Sequence, residues 1–394
     1  MADRSPDVVE QRAPLPLLVA VTMTGTVALH IFVPALAAAA VDLGTNAAGA
    51  QLTITIYLIG LAGGQLLYGP LSDRYGRRPI LIGGLGLYLA GLLLAIPAPN
   101  IGVLIVARIL QSLGACGSLV IGRAMVRDVS TREDAARKLA ILTTAMTLTP
   151  ALAPAIGGVV NEAFGWRAVF VVLAGLVAVL GTLVVFTLPE TNRHKVALPG
   201  FVAVLAGYLR LVRIPVFRAY LVAGACGGTS LYAFLAVAPF LLVDRLGRSS
   251  QEVGFDCLIV VFGMVGGAVL ASRLAARVPI RKAARSGNLL CIAAALTLLV
   301  VDRTRDARRR QPDRAALRLR GGRVGLLSPN AVAGLMNVDP HAAGTASSLY
   351  GFTQMTFGAL FTVAASAWPA TSATPVALAL LSAGLIAAFA LRRA

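Results

Sequence analysis

Residues 50–98 read AQLTITIYLIGLAGGQLLYGPLSDRYGRRPILIGGLGLYLAGLLLAIPA. Two apolar runs, 50–71 and 79–98, flank a turn that carries Asp73, Arg74, Arg77 and Arg78. Each run is about the 20 residues that a helix needs to cross a hydrocarbon layer. The turn stays out of lipid, because an arginine at mid-membrane costs roughly 2.5–3.5 kcal/mol on insertion scales. Gly69 and Gly76 permit close packing and a tight turn. Pro79 suits the first turn of the helix that follows. The stretch therefore reads as two membrane-spanning helices joined by a short basic connection.

The same pattern recurs along the whole chain. Apolar runs fall near 15–41, 50–71, 79–98, 101–122, 139–161, 167–188, 219–243, 253–275, 286–301, 324–338, 343–367 and 371–391. The longest ordinary connection, 189–218, divides them six and six, the spacing of a two-bundle transporter. The organisation expected is an N-terminal segment 1–14, a six-helix bundle 15–188, a linker 189–218 and a second bundle 219–394. The fold class is an all-α membrane protein of twelve spans.

Composition agrees. The chain has 394 residues, 57% hydrophobic and 13% charged, with a mean hydropathy of +0.80. An ordinary soluble domain carries roughly 25% charged residues. A soluble enzyme, a disulfide-rich secreted module and a disordered regulator are excluded. The net charge of +18 sits mostly in short loops between apolar runs, not in a patch that would suit nucleic acid. Arginine outnumbers lysine 32 to 3, beside much alanine, which reads as a GC-rich coding sequence. Cys116, Cys226, Cys257 and Cys291 show no CxxC spacing and read as small core residues. His30, His194 and His341 are scattered, so no metal site is expected. No P-loop points to ATP, and no constellation points to catalysis. No signal peptide is expected, since the first 14 residues are polar and the run after them is long.

Orientation follows from the basic residues. The N-terminal segment and the connections after runs two, four and six carry 2, 3, 5 and 5 of them. The first four connections on the other side carry no more than two each. Both termini are therefore expected in the cytoplasm. Residues 302–323, DRTRDARRRQPDRAALRLRGGR, break the rule with nine Arg and three Asp on the outer side. They stand where the end of helix nine and the start of helix ten belong. The flanking runs are 16 and 15 residues, each short of a comfortable span. An out-of-frame stretch between two compensating indels accounts for this; a genuine basic outer loop is the alternative.

Three motifs carry the functional reading. Gly69-Pro70-Leu71-Ser72-Asp73-Arg74-Tyr75-Gly76-Arg77-Arg78-Pro79 matches the GxLxDRxGRR/K signature of the major facilitator superfamily. Asp73 is expected to pair with the neighbouring arginines and to face a helix N-terminus. Arg108-Ile109-Leu110-Gln111-Ser112-Leu113-Gly114 resembles the family's RxxQGxG pattern, with Ser112 where glycine is usual. A buried arginine in a span faces a cavity or a partner; snorkelling to the interface is the alternative. Thr149-Pro150-Ala151-Leu152-Ala153-Pro154-Ala155-Ile156-Gly157-Gly158 resembles the antiporter motif GPxxGG, with Ala153 in place of its first glycine. Pro150 and Pro154 weaken the helix ladder, while Gly157 and Gly158 permit close contact.

Further stretches resemble the Bcr/CflA branch of drug/proton antiporters. They are Ile31-Phe32-Val33-Pro34-Ala35-Leu36, Gly122-Arg123-Ala124-Met125-Val126-Arg127-Asp128 and Gly165-Trp166-Arg167-Ala168-Val169-Phe170. Leu188-Pro189-Glu190-Thr191, Ser328-Pro329-Asn330-Ala331 and Ala343-Gly344-Thr345-Ala346-Ser347-Ser348-Leu349 continue the likeness. The resemblance implies a major facilitator fold that exports small lipophilic drugs or metabolites across a bacterial inner membrane by alternating access. It also implies a proton gradient as energy source, no cofactor, membrane lipid as surroundings and a monomer. In the family, the Gly69, Asp73, Arg74, Gly76, Arg77 and Arg78 cluster latches the bundles on the cytoplasmic side. The Pro150, Pro154, Gly157 and Gly158 motif marks exporters rather than uptake permeases. A transport-inactive remnant or a membrane sensor remains an alternative because of residues 302–323, and a solute uptake permease is a further one.

One departure matters. Many relatives carry an aspartate four residues before the helix-one proline, and His30 stands there in this chain. Histidine titrates near neutrality, so His30 is the leading proton-site candidate, with Arg108 as a modulating charge. A neutral residue hydrogen-bonded within the bundle is the alternative. For substrate contacts the expectation falls on Tyr57, Gln65, Gln111, Met146, Tyr232, Phe234, Gln354 and Met355, any of which serves equally as packing. The pairs Gly60/Gly64, Gly224/Gly228 and Gly263/Gly267 read as helix contacts.

Overall fold

The computed structural model describes residues 13–192, 201–245, 247–259, 343–366 and 374–392, with short pieces between 262 and 339. Residues 302–323, His194, His341, Cys291, Gly263, Gly267 and the stretch 328–331 lie outside the described residues, as does the side chain of Phe234. The described secondary structure is helical. In chain order the long elements are α1 (Leu15–Ile31), α2 (Leu36–Asp42), α3 (Ala47–Tyr75), α4 (Arg77–Ala95), α5 (Ile101–Asp128) and α6 (Arg132–Phe164). They continue with α7 (Trp166–Thr187), α8 (Phe201–Arg213), α9 (Pro215–Phe240), α10 (Ala343–Ser366) and α11 (Thr374–Arg392).

Among the described residues, six helices are long and apolar enough to cross a membrane: Leu15–Asp42, Ala47–Tyr75, Arg77–Ala95, Ile101–Asp128, Arg137–Phe164 and Trp166–Thr187. They correspond to the first six apolar runs. The first is not one unbroken helix. Pro34 lacks a backbone N–H, and the chain tightens into a 3₁₀ turn over Val33–Ala35 before helix resumes as α2. Polar side chains set several of the other starts. Asn46 caps α3 by accepting from the Gly49 N–H, and Asn100 caps α5 by accepting from Val103. Gly76 and Gly165, at φ of 105° and 82°, turn the chain between α3 and α4 and between α6 and α7.

The core of this first half is built on α5, which packs against α1, α3 and α4. Helices α4 and α5 touch backbone to backbone. A β-carbon at Gly91 would lie 2.7 Å from the Gln111 nitrogen, and one at Gly114 would strike the Tyr88 nitrogen. Gly60 faces Ser112 and Gly64 faces Cys116, so the first small-residue pair lies on the α3–α5 contact. Phe32, Trp166 and Phe170 form an aromatic cluster with ring centroids 4.9–6.4 Å apart. The outer faces of α6 and α7 expose Leu152, Ile156, Val159, Val172, Val179 and Phe186. On a soluble protein such a surface would drive aggregation; against lipid it is the expected solvent-facing side. Helix α9 packs on α10 and α11, and α10 also runs along α3.

Candidate functional site

The charged turn after α3 gathers side chains from three places in the chain. Asp73 pairs with Arg77 at 2.6 Å, and Arg77 Nε donates to Asp128 Oδ2 at 2.9 Å. The Nη1 of Arg77 also donates to Ser72 Oγ at 2.6 Å. The carboxylate that sits on the N-terminus of α4 is Glu190, which accepts from the Arg77 and Arg78 backbone N–H groups at 2.9 and 3.1 Å. Asp73 does not take that place. Asn192 donates to the Ser72 and Asp73 carbonyls, and Thr191 donates to Asp128. Arg78 donates to the Val185 carbonyl, and Arg74 lies over the Tyr75 ring at 5.1 Å. Sequence reasoning quoted the stretches that hold Asp128 and Glu190 but did not join them to the turn. Neither is near it in sequence, and only the return of α5 and α7 to the same end of the bundle brings them there.

The two halves of the described structure touch near both ends. Towards the charged turn, α3 meets α10: a β-carbon at Gly351 would strike Gln65. A β-carbon at Gly344, at the start of α10, would lie 3.9 Å from Arg127 Nη1. Farther along, Gly358 would meet Tyr232 and Leu58. At the opposite end, α6 meets the segment 247–259. A β-carbon at Gly158 would lie 2.5 Å from the Ser250 carbonyl oxygen, and Gly254 packs on the Pro154 carbonyl. Asn161 Nδ2 donates to Ser250 Oγ at 2.7 Å. Gly157 fits against the Ile31 carbonyl of α1. The residues Pro150, Pro154, Gly157 and Gly158 thus lie on one continuous helix, with Pro154, Gly157 and Gly158 in close backbone contacts.

Between the two ends lie His30 and Arg108. The His30 ring is 2% exposed. Its Nδ1 stands 2.7 Å from the Thr26 carbonyl oxygen. A carbonyl only accepts, so Nδ1 carries the hydrogen and Nε2 holds the lone pair. That Nε2 is buried with no hydrogen-bond partner. The ring centroid is 6.4 Å from that of Tyr232 on α9, so His30 lies where the halves meet.

Arg108 is fully buried. It has turned inward rather than snorkelled. Its Nη1 donates to the Ala28 carbonyl at 3.1 Å and to Gln111 Oε1 at 3.0 Å. Its guanidinium carbon lies 4.3 Å from the Tyr57 ring centroid and 5.3 Å from that of Phe32. Two aromatic faces therefore offset part of a buried charge without occupying its N–H groups. Tyr57 is oriented by donating to the Gly25 carbonyl, and Gln111 by donating to that of Gly91.

The remaining substrate-contact candidates separate. Tyr57 and Gln111 line Arg108, and Tyr232 faces His30. Gln65 and Gln354 wedge against Gly351 and Gly228 at helix crossings. Met355 is buried in the core. The Met146 sulfur accepts from Arg123 Nη2 at 3.4 Å. Arg123 counts among the loop arginines in the sequence, yet α5 continues through it and holds it partly buried. Among the described residues no cluster of metal-binding side chains occurs.

Apolar helical halves that close on each other at both ends, around buried polar groups such as His30 and Arg108, define a membrane transport protein. The sequence profile of the Major Facilitator Superfamily matches residues 17–363, and the chain belongs to that family. It is 34% identical over 285 residues to the chloramphenicol resistance protein of Pseudomonas aeruginosa, covering 71% of this chain and 66% of the relative. It is 29% identical over 350 residues to multidrug resistance protein D of Escherichia coli, covering 86% and 84%. It is 25% identical over 341 residues to the bicyclomycin resistance protein homolog of Haemophilus influenzae, covering 84% and 83%. Among solved structures, a D-xylose-proton symporter superposes with a TM-score of 0.75 at 13% identity, over 95% of this chain and 96% of that one. At that identity the likeness establishes the fold. The chain is a multi-pass membrane transporter and not an enzyme.

Proposed function

We propose that this transporter exports small lipophilic drugs or metabolites across a bacterial inner membrane in exchange for protons, with both termini in the cytoplasm. The drug-resistance names of its relatives support export. The observation that carries the coupling is the unpartnered Nε2 of His30, a lone pair held at the plane where the halves meet. Protons load and unload there as the halves rock. The α3–α10 contact, beside the Asp73–Arg77–Asp128 cluster of the first half, closes the cytoplasmic side, and the contact of α6 with 247–259 closes the outer side. Alternating access opens one seal while the other holds. The proton gradient is the energy source, no cofactor takes part, and the protein works as a monomer in lipid. The domain plan 15–188, 189–218 and 219–394 supplies the two rocking bodies and their linker.

Inverted membrane vesicles containing the full chain test this. An imposed inside-acid gradient is expected to drive chloramphenicol into them, with release of protons on adding drug. Uptake that ignores the gradient would refute proton coupling, and accumulation in intact cells would make the protein an uptake permease.

A second reading, a transport-inactive remnant or sensor, is favoured by residues 302–323, where nine arginines replace the facing ends of two spans. Reading the gene across codons 295–330 in all three frames decides it. An apolar stretch in another frame is the expected result and restores helices nine and ten. A single clean arginine-rich frame would favour the remnant.

A further inference from the structure

The open edge of Arg108 has a definite shape. Nη1 is occupied by Ala28 and Gln111, while Nε and Nη2 are buried and have no hydrogen-bond partner. Nε–H and the Nη2–H on its side point the same way and form the fork that takes two oxygens of one planar group in parallel bonds. The rings of Tyr57 and Phe32 lie within cation–π range and leave this edge unused. No ion pair joins Arg108 to a carboxylate among the described residues.

Most described carboxylates are engaged at helix ends. Asp42 pairs with Arg167, Asp73 and Asp128 with Arg77, Asp134 with Lys138, Glu252 with Arg248 and Asp339 with Arg210. Glu190 serves the start of α4, and Glu162 lies in the last turns of α6. Asp256 is buried, on the segment packed against α6, and has interactions of its own. The interior beside α1 is thus cationic. The Ala28 carbonyl that Arg108 holds is two residues from His30, whose ring reaches the second half at Tyr232. Arg108, through the Ala28 carbonyl, and His30 are thus both tied to the same stretch of α1.

We propose that the compound carried presents a planar two-oxygen acceptor, an aryl carboxylate or nitro group, to Nε and Nη2 of Arg108, and that lipophilic cations are rejected. The inference rests on the export reading and names the chemistry of that substrate. A two-oxygen group takes two of the three N–H donors that this buried arginine leaves unmet. A cation in the same place adds like-charge repulsion in a medium that screens it weakly.

The test uses inverted vesicles and the purified full chain with three probes: chloramphenicol, its des-nitro analogue and tetraphenylphosphonium. The wild-type protein is expected to bind chloramphenicol about tenfold more tightly than the des-nitro compound, the range of hydrogen bonds to a charged donor. Tetraphenylphosphonium is expected to be neither bound nor moved. Arg108→Lys keeps a charge but loses the fork, and should bring the first two affinities together. Where that variant fails to fold, the wild-type ratio decides by itself. Equal affinity for the nitro and des-nitro compounds, or export of the cation, overturns this inference and leaves the export reading standing. A folded protein that binds none of the three overturns both.

Discussion

His30→Ala is expected to bring proton-driven export down to the level of vesicles that lack the protein, while the variant still inserts and folds. The side chain makes one hydrogen bond, to a carbonyl of its own helix, so its loss leaves no distant partner stranded. What disappears is the Nε2 lone pair at the plane between the halves. Ionisable groups inside a membrane are costly and are kept where they carry ions or protons. His30→Asp is expected to retain gradient-driven export, because it supplies another group that loads and unloads a proton. Drug-dependent proton movement in vesicles, measured side by side for the three proteins, is the check. Full coupling in His30→Ala would remove His30 from the mechanism and make it an ordinary packed polar residue.

The second large effect concerns stability. Gly114→Ala is expected to destabilise the first half by about 1–3 kcal/mol, the usual cost of forcing extra volume into a packed contact. The added methyl meets the Tyr88 nitrogen and the Gly84 carbonyl oxygen, which are backbone atoms of α4 and cannot rotate aside. Gly86→Ala, on the same helix as Tyr88, meets nothing within 4 Å. It should be neutral or stabilising by up to about 1 kcal/mol, since alanine is the better helix former. Thermal unfolding of the purified proteins in one detergent reads the difference. A Gly114→Ala protein with an unchanged Tm would mean that α4 and α5 pack less tightly than described.

Both predictions separate a residue's type from its position. Gly114 closes a motif and Gly86 does not, yet neither letter tells whether a neighbour lies within reach; only the approach of two helices gives Gly114 one. Arg123 and Arg108 make the same point for charge. Counting basic residues between apolar runs places Arg123 in a connection, because hydropathy falls there. In the structure α5 runs on to Asp128, and Arg123 reaches Met146 of α6. Arg108 was open between a snorkelling cation and a buried one, and burial between Tyr57 and Phe32 decides it.

The sequence by itself determined the solvent, the first six spans and the family. Those properties follow from hydropathy summed over about 20 residues at a time and from motifs whose members are adjacent, such as Gly69 to Pro79. Pro34 breaks the first span through its own missing N–H, a local cause that the unbroken apolar run 15–41 conceals. Tertiary structure alone decided that Glu190 rather than Asp73 sits on the start of α4. It alone set Asp128 on Arg77, left His30 Nε2 and the Arg108 fork without partners, and put Gly158 against Ser250. Each of these joins atoms from helices far apart in the chain. Local propensity and hydropathy carry no term for such pairs, whereas packing fixes them to tenths of an ångström.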